Sequence, residues 1–147
     1  MTITAKVDAS SALAGLDALT GELRVSLARS MAVAGGQVIR DEARVRAPEQ
    51  TGRLKSSIYL AFKDGQSTDD RVVYSVTWNS RTAPHGHLLE FGHWQTVAWG
   101  HQMATPKWVA AHPFLRPAHE ATAQRAQDAM LERARERLPE LIAEAAP

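Results

Sequence analysis

The sequence predicts an α+β protein: a small antiparallel sheet packed against a long N-terminal helix and a long C-terminal helix, with an extended aromatic arm or second hairpin. Three observations predict it. Leu23, Leu27, Met31, Ala34 and Val38 recur every three or four residues, one apolar stripe of a helix. Two runs rich in β-branched and aromatic residues, 56–64 and 71–80, flank a polar stretch containing Gly65, as in an antiparallel hairpin. Ala118, Thr122, Ala126, Ala129 or Met130, Ala134 and Leu138 then restore the helical period. The 147 residues suit a single domain, 1–147, with one modest core.

The elements follow in order. TITAKVD, residues 2–8, alternates apolar and polar residues and reads as a short strand. Asp8, Ser10 and Ser11 can cap a helix in ALAGLDAL, and Thr20 can cap the next, which runs to about Val45. Gly35-Gly36 inside that helix costs roughly 1 kcal/mol per glycine relative to alanine. Either the helix bends there, the plainer expectation, or another backbone comes close. Pro48 ends the helix and PEQTGRL forms a turn. In the second strand Val72, Tyr74, Val76 and Trp78 share one face, and Val73, Ser75 and Thr77 the other. The first face should meet a helix and the second is mixed. QTVAWGHQMATPKWVAAHP has aromatic and β-branched residues on both sides of GHQMATP, hence the arm or looser hairpin. The last helix starts in HPFLRPA, with Pro117 allowed in its first turn, and reaches RERL. Its small inner residues permit close approach to a neighbour. Glu132, Arg133, Arg135, Glu136 and Arg137 give it a solvated outer face.

Composition narrows the function classes. Seventeen Lys+Arg against sixteen Asp+Glu leave a formal charge of +1, which gives no overall electrostatic reason to grip nucleic acid or an anionic membrane. The absence of cysteine removes disulfide frameworks, cysteine zinc sites and thiol nucleophiles together. Residues 1–13 lack a basic start followed by an apolar run, so no signal peptide is expected. No stretch approaches the eighteen or so apolar residues of a membrane span.

APHGHLLEFGHW, residues 83–94, concentrates ligand-type side chains: His85, His87, Glu90 and His93. A metal-dependent hydrolase would need them to converge. His85 and His87 share a side only in a strand, whereas His87, Glu90 and His93 share a face only in a helix. The spacing is not the His-Glu-x-x-His of zinc hydrolases. Neither a nucleophile elbow, a phosphate loop nor a dinucleotide fingerprint is present. The plainer expectation is a packed turn with no metal and no cofactor. His101, His112 and His119 read as surface or packing residues. Arg40, Arg44, Arg46, Arg53 and Lys55 make 40–55 the most basic stretch, either a solvated face or a contact to DNA or an acidic partner.

APEQTGRLKSSI (47–58), HLLEFG (87–92) and HPFLRPA (112–118), followed by a long charged helix, resemble a phage family. It is the neck or tail-completion family of long-tailed bacteriophages, the gene-product-ten-like tail components. The pieces occur in order at Ala47-Pro48, Thr51 to Ile58, Glu90 to Gly92 and Pro113 to Ala118, and the resemblance spans about residues 10 to 140. The departure is the tryptophan-bearing insert 93–111, which many members lack at this length. The resemblance implies a non-enzymatic virion subunit, made in the host bacterial cytoplasm. It would join six copies into a ring between portal and tail, touching head-closure or connector proteins and tail-terminator or tail-tube proteins. DNA would pass through the lumen without sequence-specific binding.

The residues support that expectation independently. Thr51-Gly52 would form a tight turn setting Leu54 and Ile58 into the core, with Gly52 free to take positive φ. Leu89 and Phe91 would anchor the turn before Gly92, leaving Glu90 as an interface or capping group. Pro113, Phe114 and Pro117 would fix the docking angle of the last helix. Trp94, Trp99 and Trp108 would make the arm an assembly surface.

Overall fold

A computed structural model describes residues 21–49 and 52–145. The strand expected at 2–8, the helix expected at ALAGLDAL, the Thr20 cap and Thr51 lie outside the described residues. Within them the architecture is α+β, with two long helices and two separate two-stranded antiparallel sheets.

Helix α1, Gly21–Arg46, buries two adjacent stripes rather than one. Leu27, Met31 and Gly35 lie on one, and Ala28, Ala32, Gly36, Ile39 and Ala43 continue onto the other. The reason is that α1 is packed on two sides. On one side lies the last helix, and on the other the strands β1, Ile58–Phe62, and β2, Tyr74–Trp78. The two glycines sit where these neighbours come closest, and the helix runs through them unbroken. A Cβ on Gly35 would meet Met130 Cγ at 2.7 Å and the Ala126 carbonyl oxygen at 3.1 Å; one on Gly36 would meet Leu60 Cδ1 at 2.6 Å. Close approach accounts for both, by the backbone of the last helix at Gly35 and by the Leu60 side chain at Gly36.

The helix ends two residues before Pro48, which disfavours helical backbone in the residue preceding it. Gly52, at φ 69°, opens the short helix α2, Arg53–Ser57, which buries Leu54 and delivers Ile58 to the core. The strands pair in the register Ile58↔Trp78 to Phe62↔Tyr74. Val72, Val76 and Trp78 are buried on the face toward α1, as their alternation predicts. Val73 and Ser75, on the face expected to be mixed, are buried as well. An Asx turn, in which the Arg81 N–H donates to Asn79 Oδ1 at 2.9 Å, then leads into the short helix α3, Gly86–Phe91.

The last helix, α4, Leu115–Ala145, lies along α1 over most of its length; its first turns share a core with the first sheet through Phe114, Leu115 and Ala118. The expected end at RERL is passed. Pro139 is accommodated inside the helix because Leu141 beyond it is fully buried against Leu27, Met31 and Met130. Packing there outweighs the hydrogen bond that proline removes. Arg133 Nε donates to Ser30 Oγ at 2.8 Å, a second tie between the long helices.

Candidate functional site

Helix α3 and the hairpin after it hold most of the residues singled out in the sequence. Gly86 starts α3 instead of interrupting it, because Trp78 lies over it: a Cβ there would sit 2.4 Å from the indole nitrogen. Gly92, at φ 74°, ends the helix, its N–H donating to the Leu88 carbonyl at 2.9 Å. Within this turn the deeply buried side chain is the carboxylate, with Glu90 4% exposed, while Leu89 and Phe91 are only partly buried. Phe91 is therefore not the core anchor it was expected to be.

Glu90 is buried because the start of α4 needs it. Glu90 Oε2 accepts the N–H groups of Phe114 at 2.8 Å and Leu115 at 3.0 Å, and Oε1 accepts that of Arg116 at 3.2 Å. The next residue, Pro117, has no N–H, and the Ala118 N–H returns to the Phe114 carbonyl at 3.3 Å. Every backbone donor of the first turn is thus accounted for, by a side chain reaching across from another element. A negative charge at this helix end is also favoured by the peptide dipoles. The His112 N–H, donating to the Leu89 carbonyl at 2.7 Å, closes the same junction. Phe114 fills the space beneath, edge-on to Trp78 with ring centroids 5.9 Å apart. Pro113 is exposed and Pro117 partly buried.

Both Glu90 oxygens accept backbone donors, and the residue is 4% exposed. His85 and His87 are exposed at the start of α3, His93 begins the next strand, and no three metal-ligating side chains among the described residues converge. The turn that carries this residue pattern caps the start of α4 through Glu90. The basic stretch is also largely occupied. Arg44 donates from Nε and Nη2 to the Ile58 carbonyl at 3.1 and 2.7 Å, fastening α1 to the first strand. Arg40 pairs with Asp41, Arg46 with Glu42 and Lys55 with Glu49, whose carboxyl the hydrogen bond from Lys55 holds below its usual range. The sequence did not reveal the role of Arg44, since its acceptor is a backbone group fourteen residues away.

The aromatic arm is a hairpin of its own: β3, His93–Ala98, pairs with β4, His101–Val109. It belongs to a different sheet from β1–β2, and none of its residues is buried. Trp94 and Trp108 face each other across the strands, edge-on at 5.4 Å, yet remain 62% and 49% exposed; Trp99 at the tip is 99% exposed. At its base Gly92 admits Trp108, which would lie 2.8 Å from a Cβ. Beside that base is a groove of about 550 Å³ walled by Pro48, Leu54, Leu88 and Leu89, with His85, His93 and His112 around it.

The described residues thus form an α+β unit with a capped junction and a projecting aromatic hairpin. The family described as "Bacteriophage HK97-gp10, putative tail-component" matches residues 11–92, and the chain belongs to this family of phage tail components. The match ends where the tryptophan hairpin begins. Neither curated proteins nor solved structures give a match to the chain.

Proposed function

We propose that the chain is a structural subunit of a tailed phage or phage-like particle. It would act as one domain that forms a ring in the neck, joining the portal or connector to the tail. Membership of a tail-component family supports the virion role. The observation that carries the finer reading is the hairpin 93–109, in which Trp94, Trp99 and Trp108 are 62%, 99% and 49% exposed. Such an exposed apolar patch is the mark of a binding surface. Its partners would be further copies of the chain and the adjoining connector and tail-terminator or tail-tube proteins. The pairing of the basic stretch with acidic neighbours suits DNA that passes through the lumen without being held. The role is structural, and Glu90 serves it by fixing where α4 leaves the hairpin base.

Disruption of the gene tests this reading. Filled heads and finished tails that fail to join, with the protein recovered in wild-type particles, are the expected result. Normally joined particles lacking the protein would refute it. No helix among the described residues is long and apolar enough to cross a membrane.

A further inference from the structure

Trp99 occupies a position where the hairpin backbone favours another residue. It and Gly100 are the central residues of the turn that joins Ala98 to its partner His101, and both have positive φ, 55° and 79°. A two-residue turn with both centres left-handed is the setting for Asn-Gly, because a bulky side chain is strained there. The tip thus combines backbone strain with an indole 99% exposed. Neither helps the copy that carries it, and strain at an exposed tip points to a role outside the fold.

The groove at the hairpin base is the matching receptor. Its aliphatic walls suit an indole ring, and its volume of about 550 Å³ is ample for one. The groove and the tip of the same copy cannot meet. His93 lines the groove, and Trp99 lies six steps of about 3.3 Å along a paired strand, about 20 Å away. Each copy therefore presents one donor and one acceptor at opposite ends of one rigid element.

We propose that Trp99 of one copy inserts into the Pro48–Leu54–Leu88–Leu89 groove of the next. This is a head-to-tail contact between identical chains, which closes when the rotation per step completes a circle. It rests on the ring reading above and names the contact that would hold the ring. The three tryptophans expose roughly 400 Å². About half of that area belongs to Trp99 alone, so the contact is small at each step and is repeated by every copy around a closed ring.

The full chain has no cysteine, so introduced thiols report alone. His85→Cys at the groove edge and His101→Cys beside the tip are both exposed positions and leave Trp99 and Leu88 in place. A short bis-maleimide is added to a mixture of the two variants, in solution and in purified particles, while sedimentation velocity follows the wild-type chain separately. The expected result is an 85–101 link between copies that disappears when Trp99→Gly is added to the His101→Cys chain. Wild-type assembly without that link overturns the contact and leaves the ring reading to other surfaces. Links only between two cysteines at 101 mean a twofold contact, which overturns both. A link from 101 to a different particle protein, or no link in either sample, overturns the contact.

Discussion

Glu90 caps a helix that begins twenty-five residues after it, its carboxylate accepting the N–H of Phe114, the residue just before that helix, at 2.8 Å. The same carboxylate holds the N–H groups of Leu115 and Arg116. Truncation by Glu90→Ala strands three donors at a buried junction, and should cost roughly 3 kcal/mol or more. Glu90→Gln keeps acceptor geometry on one oxygen but loses the charge, so about half that loss is expected. Urea midpoints of the two variants check the order. Equal stability of Glu90→Ala and wild type would show that the cap contributes nothing.

The size of aromatic substitutions should follow burial, not the resemblance between the two motifs. Phe114 is fully buried against Trp78, and Phe114→Ala should cost about 3–5 kcal/mol. Phe91 is only partly buried, so Phe91→Ala should cost about 1 kcal/mol, the ordinary value for a point change. Equilibrium unfolding of both variants measures the gap, and similar losses would contradict the burial difference.

This contrast shows what the sequence could and could not convey. One of the two buried stripes of α1, the inner stripe of α4 and the β1–β2 hairpin were legible because apolar periodicity encodes them directly, whereas the second stripe of α1 depends on its packing against the sheet. Gly52, Leu54 and Ile58 were legible because a positive-φ glycine before an apolar pair has few alternatives. Glu90 was readable as a capping group, but its partners were not, since they come from a distant segment through tertiary packing. Phe91 was misjudged for the complementary reason: a large apolar residue beside glycine looks like an anchor whether or not the fold covers it. Pro139 reads as a stop in isolation, and only the burial of Leu141 beyond it shows why the helix continues. Both hairpin and arm were compatible with 93–111, and strand pairing decided between them.

Gly35 separates two opposing effects. Replacing it with alanine gains about 1 kcal/mol of helix propensity. The new methyl would meet Met130 Cγ at 2.7 Å and the Ala126 carbonyl at 3.1 Å. Met130, which is buried between the helices, would have to shift and the carbonyl has little room to give, so overpacking should win with a net loss of about 1–2 kcal/mol. Adding Met130→Ala should make the effect of Gly35→Ala smaller than it is alone. A double-mutant cycle on thermal or urea stability reads the coupling, and strict additivity would mean that the methionine is not the obstacle.

Trp99→Gly should leave the fold at least as stable as wild type, because the tip residue is exposed and its φ of 55° suits glycine. A gain of up to about 1 kcal/mol is expected from relief of left-handed strain. A clear fall in melting temperature would mean that the indole supports its own chain, and would remove the reason to look for its receptor elsewhere.

Shortening the hairpin tests whether the fold needs it. Trp94 and Trp108 are partners across the strands, so the residues between them can be replaced by Asn-Gly, the two-residue turn that suits such a pair. The change keeps the Trp94–Trp108 contact and the seat of Trp108 on Gly92, while removing the tip and most of the strand pairing. No residue removed is buried, so stability should stay within about 0.5 kcal/mol of wild type, as for surface changes generally. Urea unfolding measures this, and the shortened chain can be offered to particles lacking the wild-type protein. Retained stability with lost incorporation separates a surface built for assembly from one built for folding. Loss of stability would instead make the hairpin part of the fold, with its tryptophans serving the chain that carries them.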